Sequence, residues 1–523
     1  MSGQEPTVAG RVSELLRPGF YGPGVRKVRM LQTHTSWVFL TGRHAYKVKK
    51  PVNFGFLDYT TLSARRFFCQ EEFRLNRRLS PDIYLEVVTI GEQGGRLALG
   101  KGRPVDYALK MCELPQSAIM TEQLKKGEVR FEQLGEIARI IAGFHAHAER
   151  GPEVAKYGSS EIVRLNWDEN FAQTMEFRGK TISHPGFEEI KRNVERFIQE
   201  KRHLFRHRRE AGHVRKCHGD LHSRNVFVNE QVHIFDCIEF NPRFSCSDVA
   251  SEVAFMVMDL DYFGRHDLAG HFVERYLVHT RDYGILRLLD FYSCYRAYVR
   301  GKVTSFNLND PGISAQDKAR ARETARRYFQ LSLGYSRRLF RSNRLIVMLG
   351  LPGTGKSYLA RRLAARLGAF HLLSDSIRKQ LVGVPVGSKQ IEGVDRGIYN
   401  RTISHRTYAE LLRRTRLLLG AGQTVIADAT FLREDSRQEA AELAKKAGVP
   451  VLFVHADCPE STVASRMRRR AHEYGMSDAD LSVYRRMKER FIPPRTGRNL
   501  IRVDTRQPVN RSLEQIERAL LRI

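Results

Sequence analysis

A glycine-rich octapeptide in the last third of the chain has the residue types of a phosphate-binding loop. It reads G-L-P-G-T-G-K-S and fits the pattern G-x-x-x-x-G-K-[ST] in full. An apolar stretch precedes it and a helical pattern follows, so its backbone N–H groups and the helix dipole would both face an anion. The residues predicted to hold the phosphates are Gly350, Gly353, Thr354, Gly355, Lys356 and Ser357.

Two side chains of this loop have separate tasks. A lysine in the position of Lys356 reaches the β- and γ-phosphates of a nucleotide, and a serine in the position of Ser357 ligates Mg²⁺. The loop therefore predicts ATP and Mg²⁺ as cofactors of the last third.

A second group of polar residues lies in the middle of the chain, in the segment C-H-G-D-L-H-S-R-N-V-F-V and the hairpin pattern after it. Asp220 could take a proton from an acceptor hydroxyl. Asn225, five residues later, and Asp236, 16 residues after Asp220, could supply oxygen ligands for Mg²⁺ bound to ATP. These residue types would suit a second site for phosphoryl transfer.

The elements around these residues change in kind along the chain. Residues 28–52 predict two strands joined near Thr41, residues 62–79 a helix, and residues 86–115 strands with a Gly-Gly turn between them. The region 130–340 is mostly helical, interrupted by a hairpin. From residue 345 five apolar strands alternate with helical segments, which predicts a parallel sheet covered by helices. We therefore predict two domains, 1–340 and 341–523.

The middle segment resembles the H-x-D-x-x-x-x-N loop and metal-binding Asp of the protein-kinase-like fold, in the form of aminoglycoside phosphotransferases and choline kinases. The resemblance implies a nucleotide-binding lobe upstream, where Lys47 and Lys49 share one face of a strand. Lys47 matches the family's lysine, with Glu72 or Glu71 as its ion-pair partner and Glu72 preferred by its place in the helix. Asp248 resembles a buried family aspartate that steadies the catalytic loop.

The last third resembles phage-type polynucleotide kinases and zeta-toxin-like small-molecule kinases. The resemblance implies that Asp375 is the general base and that Arg378 holds the acceptor; a helix N-cap is the alternative for Asp375. Asp428 is similar to the Walker-B position and would help to ligate Mg²⁺. Arg466 and Arg470, one helical turn apart, would clamp the transferring group, with a solvated basic surface as the alternative for this run.

Together the two parts resemble the bacterial bifunctional aminoglycoside phosphotransferase/ATP-binding proteins over almost the whole chain. This implies an α+β protein-kinase-like domain followed by an α/β P-loop NTPase domain with a parallel sheet. The implied activity is an ATP-dependent transfer of the γ-phosphoryl group to hydroxyl acceptors: a small metabolite, a sugar or a nucleic-acid end. An ATP-binding regulatory protein and a 5′-hydroxyl polynucleotide kinase of repair or RNA processing remain as alternatives.

The charge narrows the choice of acceptor. The net charge is +29, and residues 341–523 carry 34 Lys and Arg against 18 Asp and Glu. Such a balance favours anionic partners, although arginines on solvated helix faces account for it as well. Aminoglycosides are polycations, so a neutral or anionic acceptor fits better.

The remaining features concern the compartment. Seven cysteines are scattered without C-x-x-C pairs, which is typical of a reducing compartment and does not indicate a zinc site. The chain has no apolar run of membrane-spanning length and no signal-peptide pattern at its start. We therefore expect a cytoplasmic protein without membrane contact, and the sequence carries no signal for its oligomeric state.

Overall fold

The computed structural model describes residues 8–55, 57–385, 397–472, 481–494 and 497–523. Its helices are α1 Val8–Leu15, α2 Leu62–Asn76, α3 Met120–Lys126, α4 Phe131–His147, α5 Pro152–Ala155, α6 Ser160–Thr174, α7 His184–Glu200, α8 Arg202–Glu210, α9 Pro242–Ser245, α10 Val249–Tyr262, α11 His266–Thr280, α12 Leu286–Phe306, α13 Ala315–Arg338, α14 Lys356–Leu367, α15 Ser374–Leu381, α16 Arg401–Gly420, α17 Glu434–Lys446, α18 Glu460–His472, α19 Leu481–Glu489 and α20 Val509–Leu520. Its strands are β1 Arg29–Gln32, β2 Ser36–Leu40, β3 His44–Lys49, β4 Tyr84–Gln93, β5 Arg96–Leu99, β6 Arg103–Cys112, β7 Val214–Lys216, β8 Val226–Val228, β9 Val232–Ile234, β10 Cys246–Asp248, β11 Leu345–Leu349, β12 Phe370–Leu373, β13 Val425–Asp428, β14 Val451–Asp457 and β15 Leu500–Asp504.

The N-terminal strands form one antiparallel sheet in the order β1-β2-β3-β6-β4-β5. The alternation along β3 sends Tyr46 and Val48 into an apolar cluster with Leu15, so Lys47 and Lys49 point to the opposite face. The predicted turn between β2 and β3 is confirmed at Thr41, whose backbone N–H donates to His44 O at 3.0 Å.

Helix α2 supplies the partners for that face of the sheet. Its first turn is capped by Thr61, whose hydroxyl accepts from the Ala64 backbone N–H at 3.1 Å. Polar residues recur along its buried side, and Arg65 there pairs with Asp106 at 2.8 Å. Glu72 lies further along the same buried side, so α2 presents a carboxylate to β3, the strand that carries Lys47 and Lys49.

The P-loop sheet is parallel, in the order β12-β13-β11-β14-β15, and confirms the five predicted strands. All five residues of β11 are buried, as the central strand of a sheet covered on both faces requires. The apolar residues of α14 and α20 pack on this sheet, with Leu363 and Ile516 fully buried. The two parts of the chain thus have the predicted fold classes: α+β of protein-kinase-like type, then α/β with a parallel sheet.

The chain divides into two compact units whose limits differ from the predicted ones. One comprises residues 1–129, 136–169 and 201–259, and the other comprises residues 130–135, 170–200 and 260–523. The helices of residues 260–340 therefore belong to the same unit as the P-loop sheet; the Gln423 amide, for example, donates to Leu286 O at 2.8 Å. The division at residue 340 stays a prediction. None of the described helices is long and apolar enough to cross a membrane.

Candidate active sites

Three charged residues predicted from separate elements meet in the first unit. The Lys47 ammonium lies 2.8 Å from Glu72 Oε1 and 2.5 Å from Asp236 Oδ1. Burial would lower the pKa of Lys47, but Asp236 and Glu72 together raise it well above its usual value. Lys47 is therefore a charged ammonium set between two carboxylates.

The structure also separates the alternatives for the ion-pair partner. Glu71 turns away from β3 and pairs with Arg74 and Lys216 at 2.7 and 3.0 Å. Glu72 contacts both Lys47 and Lys49. Burial alone would raise the pKa of Glu72, but the two ammonium groups hold it at about 2.

The predicted base and its neighbour are held together by hydrogen bonds. The Asn225 amide N–H group donates to Asp220 O and to Asp220 Oδ2, both at 3.0 Å. This leaves the amide oxygen of Asn225 as the atom that could ligate a metal ion. The side chain of Asp220 is 35% exposed, so an acceptor hydroxyl has access to it.

Asp236 occupies an unusual backbone conformation at the end of the β8–β9 hairpin. Its φ is 69°, in the left-handed region that non-glycine residues rarely adopt. The Tyr84 hydroxyl accepts from its backbone N–H at 3.1 Å, and the Asn76 side chain accepts from the next N–H at 2.8 Å. These contacts from the first sheet and α2 hold the carboxylate of Asp236 beside Lys47.

Asp259 contacts the loop that carries Asp220, accepting from the Ser223 backbone N–H at 2.8 Å, and Glu252 supports the same loop. The Glu252 carboxylate accepts from the backbone N–H groups of His218 at 3.2 Å and Gly219 at 2.7 Å. Asp248 lies just before α10 and forms a bidentate pair with Arg208 at 2.6 and 2.8 Å. The resemblance placed the support of the loop on Asp248, and the structure pairs this buried residue with Arg208 instead.

His145 completes this support behind the loop. Its Nε2 lies 2.7 Å from Glu252 Oε2. The ligand atoms of His145, Cys217 and Glu252 lie within 4.8 Å of one another, a spacing that could suit a metal ion. The Glu252 carboxylate already receives three donors, so hydrogen bonding accounts for the cluster without an ion.

We expect Glu252→Gln to lower stability by about 3–5 kcal/mol, because it breaks a fully buried charged network. Burial raises the pKa of Glu252, but His145 and the loop amides bring it to about 2 in the folded chain, from 4.5. A lowered folded pKa stabilises above pH 4.5, and this contribution disappears as the pH falls towards 2. Urea unfolding at pH 7 and pH 4 measures both effects. The variant should lose less stability than the wild type between these pH values, and Glu153→Gln, on the surface, should behave as the wild type.

The P-loop has the backbone that its glycines predict. Gly350, Gly353 and Gly355 have φ values of 134°, 78° and 90°, and α14 begins directly after them. The Lys356 ammonium donates to Leu351 O at 3.0 Å, and the Thr354 hydroxyl donates to the same carbonyl at 2.8 Å. The lysine thus lies folded over its own loop, at the place where phosphates would sit.

Gly350→Ala tests this cradle. An added Cβ would lie 2.4 Å from Ala456 O, a backbone atom that cannot move aside. The strained φ alone costs about 1–3 kcal/mol, and the overlap adds to it. Thermal unfolding should show this loss, whereas Gly420→Ala, in a helix with open space around the new methyl group, should be neutral or stabilising. Equal stability of Gly350→Ala and wild type would contradict the loop geometry.

Asp375 lies in the first turn of α15, which begins at Ser374, so it is not the N-cap of that helix. Its carboxylate accepts from the Tyr399 hydroxyl at 3.1 Å and lies 3.1 Å from the Lys379 ammonium. The Arg378 guanidinium stands over the ring of Tyr399, 4.7 Å from its centre. Tyr399 therefore contacts both the predicted general base and the residue predicted to hold the acceptor.

Asp428 lies at the carboxyl end of β13, paired in register with Met348 of the P-loop strand. His371 Nε2 lies 2.9 Å from Asp428 Oδ2. The other oxygen, Oδ1, is buried without a hydrogen-bond partner in the described part of the chain. A buried carboxylate oxygen in this position is available to a ligand beside the P-loop.

The two arginines predicted to clamp the transferring group, Arg466 and Arg470, have different outcomes. The Arg466 guanidinium donates to Thr354 O at 3.2 Å, to the Thr505 hydroxyl at 2.9 Å and to Thr505 O at 2.7 Å. It is therefore fastened to the back of the P-loop, and its clamp role stays a prediction. Arg470 belongs to α18, but its side chain lies outside the described residues.

The structure adds site residues that the motifs did not indicate. Glu252 contacts the loop that carries Asp220, and Tyr84, His371 and Tyr399 contact Asp236, Asp428 and Asp375 in turn. Glu252 is an acidic residue among the apolar residues of α10, and this contrast is the sequence signal that could have indicated it. Tyr399 and His371 carry no comparable signal.

Comparisons with known proteins support both the kinase-like part and the P-loop part of the chain. A family model described as "Phosphotransferase enzyme family" matches residues 91–289, and one described as "AAA domain" matches residues 345–494. The first range includes Asp220, Asn225 and Asp236, and the second includes the P-loop and Asp375. Lys47 and Glu72 lie before the first range.

Uncharacterized proteins of Mycobacterium tuberculosis and Mycobacterium bovis are each 32% identical to this chain over 487 residues, which is 92% of this chain and 93% of each relative. The chain therefore belongs to their family, the bifunctional aminoglycoside phosphotransferase/ATP-binding proteins, in which a phosphotransferase-family domain precedes a P-loop kinase domain.

Solved structures resemble the last third. A gluconokinase from Sinorhizobium meliloti is 22% identical and covers 35% of this chain and 94% of its own, with a TM-score of 0.26. An APS kinase from Mycobacterium tuberculosis is 18% identical and covers 34% of this chain and 98% of its own, also with a TM-score of 0.26. The assignment of the P-loop kinase fold rests on the parallel sheet of the chain itself.

Proposed function

We propose that the chain is an ATP-dependent phosphotransferase with two nucleotide sites, each transferring the γ-phosphoryl group to a hydroxyl acceptor. The observation that carries the proposal is that the Lys47 ammonium lies within 2.8 Å of a carboxylate oxygen of Glu72 and of one of Asp236. This lysine-carboxylate arrangement, together with an accessible Asp220, is what phosphoryl transfer on a protein-kinase-like fold needs.

The residues of the first site divide the work. Lys47, held by Glu72, binds the nucleotide phosphates, and Asp220 accepts the proton of the acceptor hydroxyl. Asn225 keeps the Asp220 carboxylate oriented through its hydrogen bond of 3.0 Å to Oδ2, and its other bond, also of 3.0 Å, holds the Asp220 backbone carbonyl. Such fixed orientation lowers the barrier because no reorganisation is needed during the reaction.

The residues of both sites fit Mg²⁺. Their candidate ligands are oxygens: the Asn225 amide and Asp236 carboxylate in the first site, the Ser357 hydroxyl and Asp428 carboxylate in the second. Hard oxygen ligands suit Mg²⁺, and the unpartnered, buried Oδ1 of Asp428 supports a ligand there. When bound, Mg²⁺ neutralises negative charge on the β- and γ-phosphates.

At the second site, Gly350 to Ser357 bind the phosphates and Asp375 is the general base. Tyr399 and Lys379 hold the Asp375 carboxylate, each at 3.1 Å. Arg378 would hold the acceptor, and Arg466 and Arg470 would stabilise the transferring group. We also propose a reducing, cytoplasmic compartment, since all seven cysteines are free.

The charge of the P-loop part supports a second candidate, phosphorylation of a 5′-hydroxyl nucleic-acid end. Residues 341–523 carry a large excess of basic residues. A strand held by them should lose affinity steeply with added salt, because binding releases counterions from the phosphates. Absence of oligonucleotide binding at low salt would remove this candidate.

The proposal is tested with γ-labelled ATP and a panel of sugars, nucleosides and oligonucleotides. Wild type, Asp220→Ala and Lys356→Ala are compared for label transfer to each acceptor. We expect some acceptors to depend on Asp220 and others on Lys356. Transfer by the wild type to none of them, together with nucleotide binding, would favour the ATP-binding regulatory protein instead.

A further inference from the structure

A second lysine lies behind Lys47, in a fully buried network of charges. The side chain of Lys49 is 2% exposed, against 16% for Lys47. Its ammonium donates to Glu72 Oε2 at 2.7 Å and forms an ion pair with Glu239. The Tyr59 hydroxyl donates to the same Glu239 oxygen at 2.6 Å. Lys49 is therefore surrounded by protein groups and out of reach of a nucleotide.

Glu72 is shared between the two lysines. Its Oε1 faces Lys47 at 2.8 Å and its Oε2 faces Lys49 at 2.7 Å. Because each oxygen has its own ammonium, rotation of the carboxylate would break both pairs. Lys49 thus fixes the orientation in which Glu72 meets Lys47.

Glu239 extends the network to the segment that carries Asp236. The backbone N–H of Ile238, between these two acidic residues, donates to His218 O at 2.9 Å, so this segment is tied to the catalytic loop. The side chain of Glu239 then ties it to β3 through Lys49. Lys47, Lys49, Glu72 and Glu239 therefore connect β3, α2 and the segment that carries Asp236.

We propose that Lys49 and Glu239 are positioning residues for nucleotide binding at the first site. This rests on the proposed function of Lys47. A nucleotide phosphate competes with Asp236 for Lys47, so one ion pair of Lys47 opens when the nucleotide binds. The pairs of Lys49 stay closed and keep Glu72 in place, so Lys47 retains one fixed partner throughout.

The test separates positioning from stability by means of a double variant. Removing one partner of a buried pair leaves an uncompensated charge, whereas removing both is far milder. Lys49→Met with Glu239→Gln should therefore unfold at nearly the wild-type temperature, and the single variants at lower temperatures. If the pair only stabilises the fold, the double variant also regains nucleotide affinity.

We expect the nucleotide affinity of the double variant to stay low. Titration of the full chain with a fluorescent ATP analogue and Mg²⁺, in the Lys356→Met background that silences the P-loop site, should show a dissociation constant raised about 10- to 100-fold in the double variant and in Glu239→Gln. Lys125→Met, which removes an exposed lysine paired with Glu122, is the matched control and should bind as the parent.

The outcomes are distinguishable from failure of the proposed function. If Lys47→Met leaves the affinity unchanged, the first site is not a nucleotide site and the proposed function fails. If Lys47→Met weakens binding but the double variant binds as tightly as the parent, the positioning role is overturned and the function stands. Weak binding by a folded double variant supports the proposal.

Discussion

Lys356→Met should reduce phosphoryl transfer at the P-loop site by about 10²- to 10³-fold. In the structure the Lys356 ammonium is buried against its own loop, 3.0 Å from Leu351 O. That carbonyl also accepts from Thr354, so it keeps a partner when the lysine turns to a phosphate. Methionine has nearly the same length and no charge, and so removes the interaction with the γ-phosphate without emptying the space.

The loss should be specific to one site. Transfer that depends on Asp220 should keep its wild-type rate in Lys356→Met, measured with γ-labelled ATP and the acceptor of the first site. Lys445→Met, on the exposed end of α17, is the matched control. A Lys356→Met chain that phosphorylates the P-loop acceptor at the control rate would show that the loop has another role.

Asp220→Asn should lower kcat at the first site by about 10²- to 10⁴-fold, the range of general-base catalysis, with little change in the affinity for ATP. Asparagine keeps the size of the side chain but cannot accept a proton. Lys47, which would bind the phosphates, and its partner Glu72 make no hydrogen bond to Asp220 among the described residues, so nucleotide binding is expected to be spared.

Steady-state kinetics at varied ATP measures both quantities. The expected pattern is a fall in kcat with KM for ATP within about threefold of wild type. Asp168→Asn, an exposed residue of α6, controls for loss of a carboxylate. A KM raised in proportion to the fall in kcat would place Asp220 in nucleotide binding rather than in proton transfer.

The motif spacing predicted which residues of the first site meet, although they come from distant parts of the chain. Lys47 and Asp236 are 189 residues apart and lie 2.5 Å from each other. Alternation along β3 placed Lys47 and Lys49 on one face, and the resemblance to the protein-kinase-like family selected Lys47 and Asp236. The choice between Glu71 and Glu72 needed the position of α2, since adjacent helical residues differ by about 100° in direction.

Asp248 and Glu252 show why the rest could not be predicted. They are four residues apart, and both are acidic and buried. Which one reaches the loop depends on where α10 begins, at Val249, and helix boundaries are set by packing as much as by local sequence. The limits of the compact units could not be predicted for a related reason: periodicity identifies the helices of residues 260–340 but does not tell which sheet they accompany.

The central claim is that one chain holds two nucleotide sites, and the number of nucleotides bound tests it most directly. Equilibrium dialysis with a labelled, non-hydrolysable ATP analogue and Mg²⁺ should give two bound per wild-type chain. It should give one each for Lys47→Met and Lys356→Met, and none for the double variant. A wild-type value of one, or a value of two that neither substitution changes, would contradict this account.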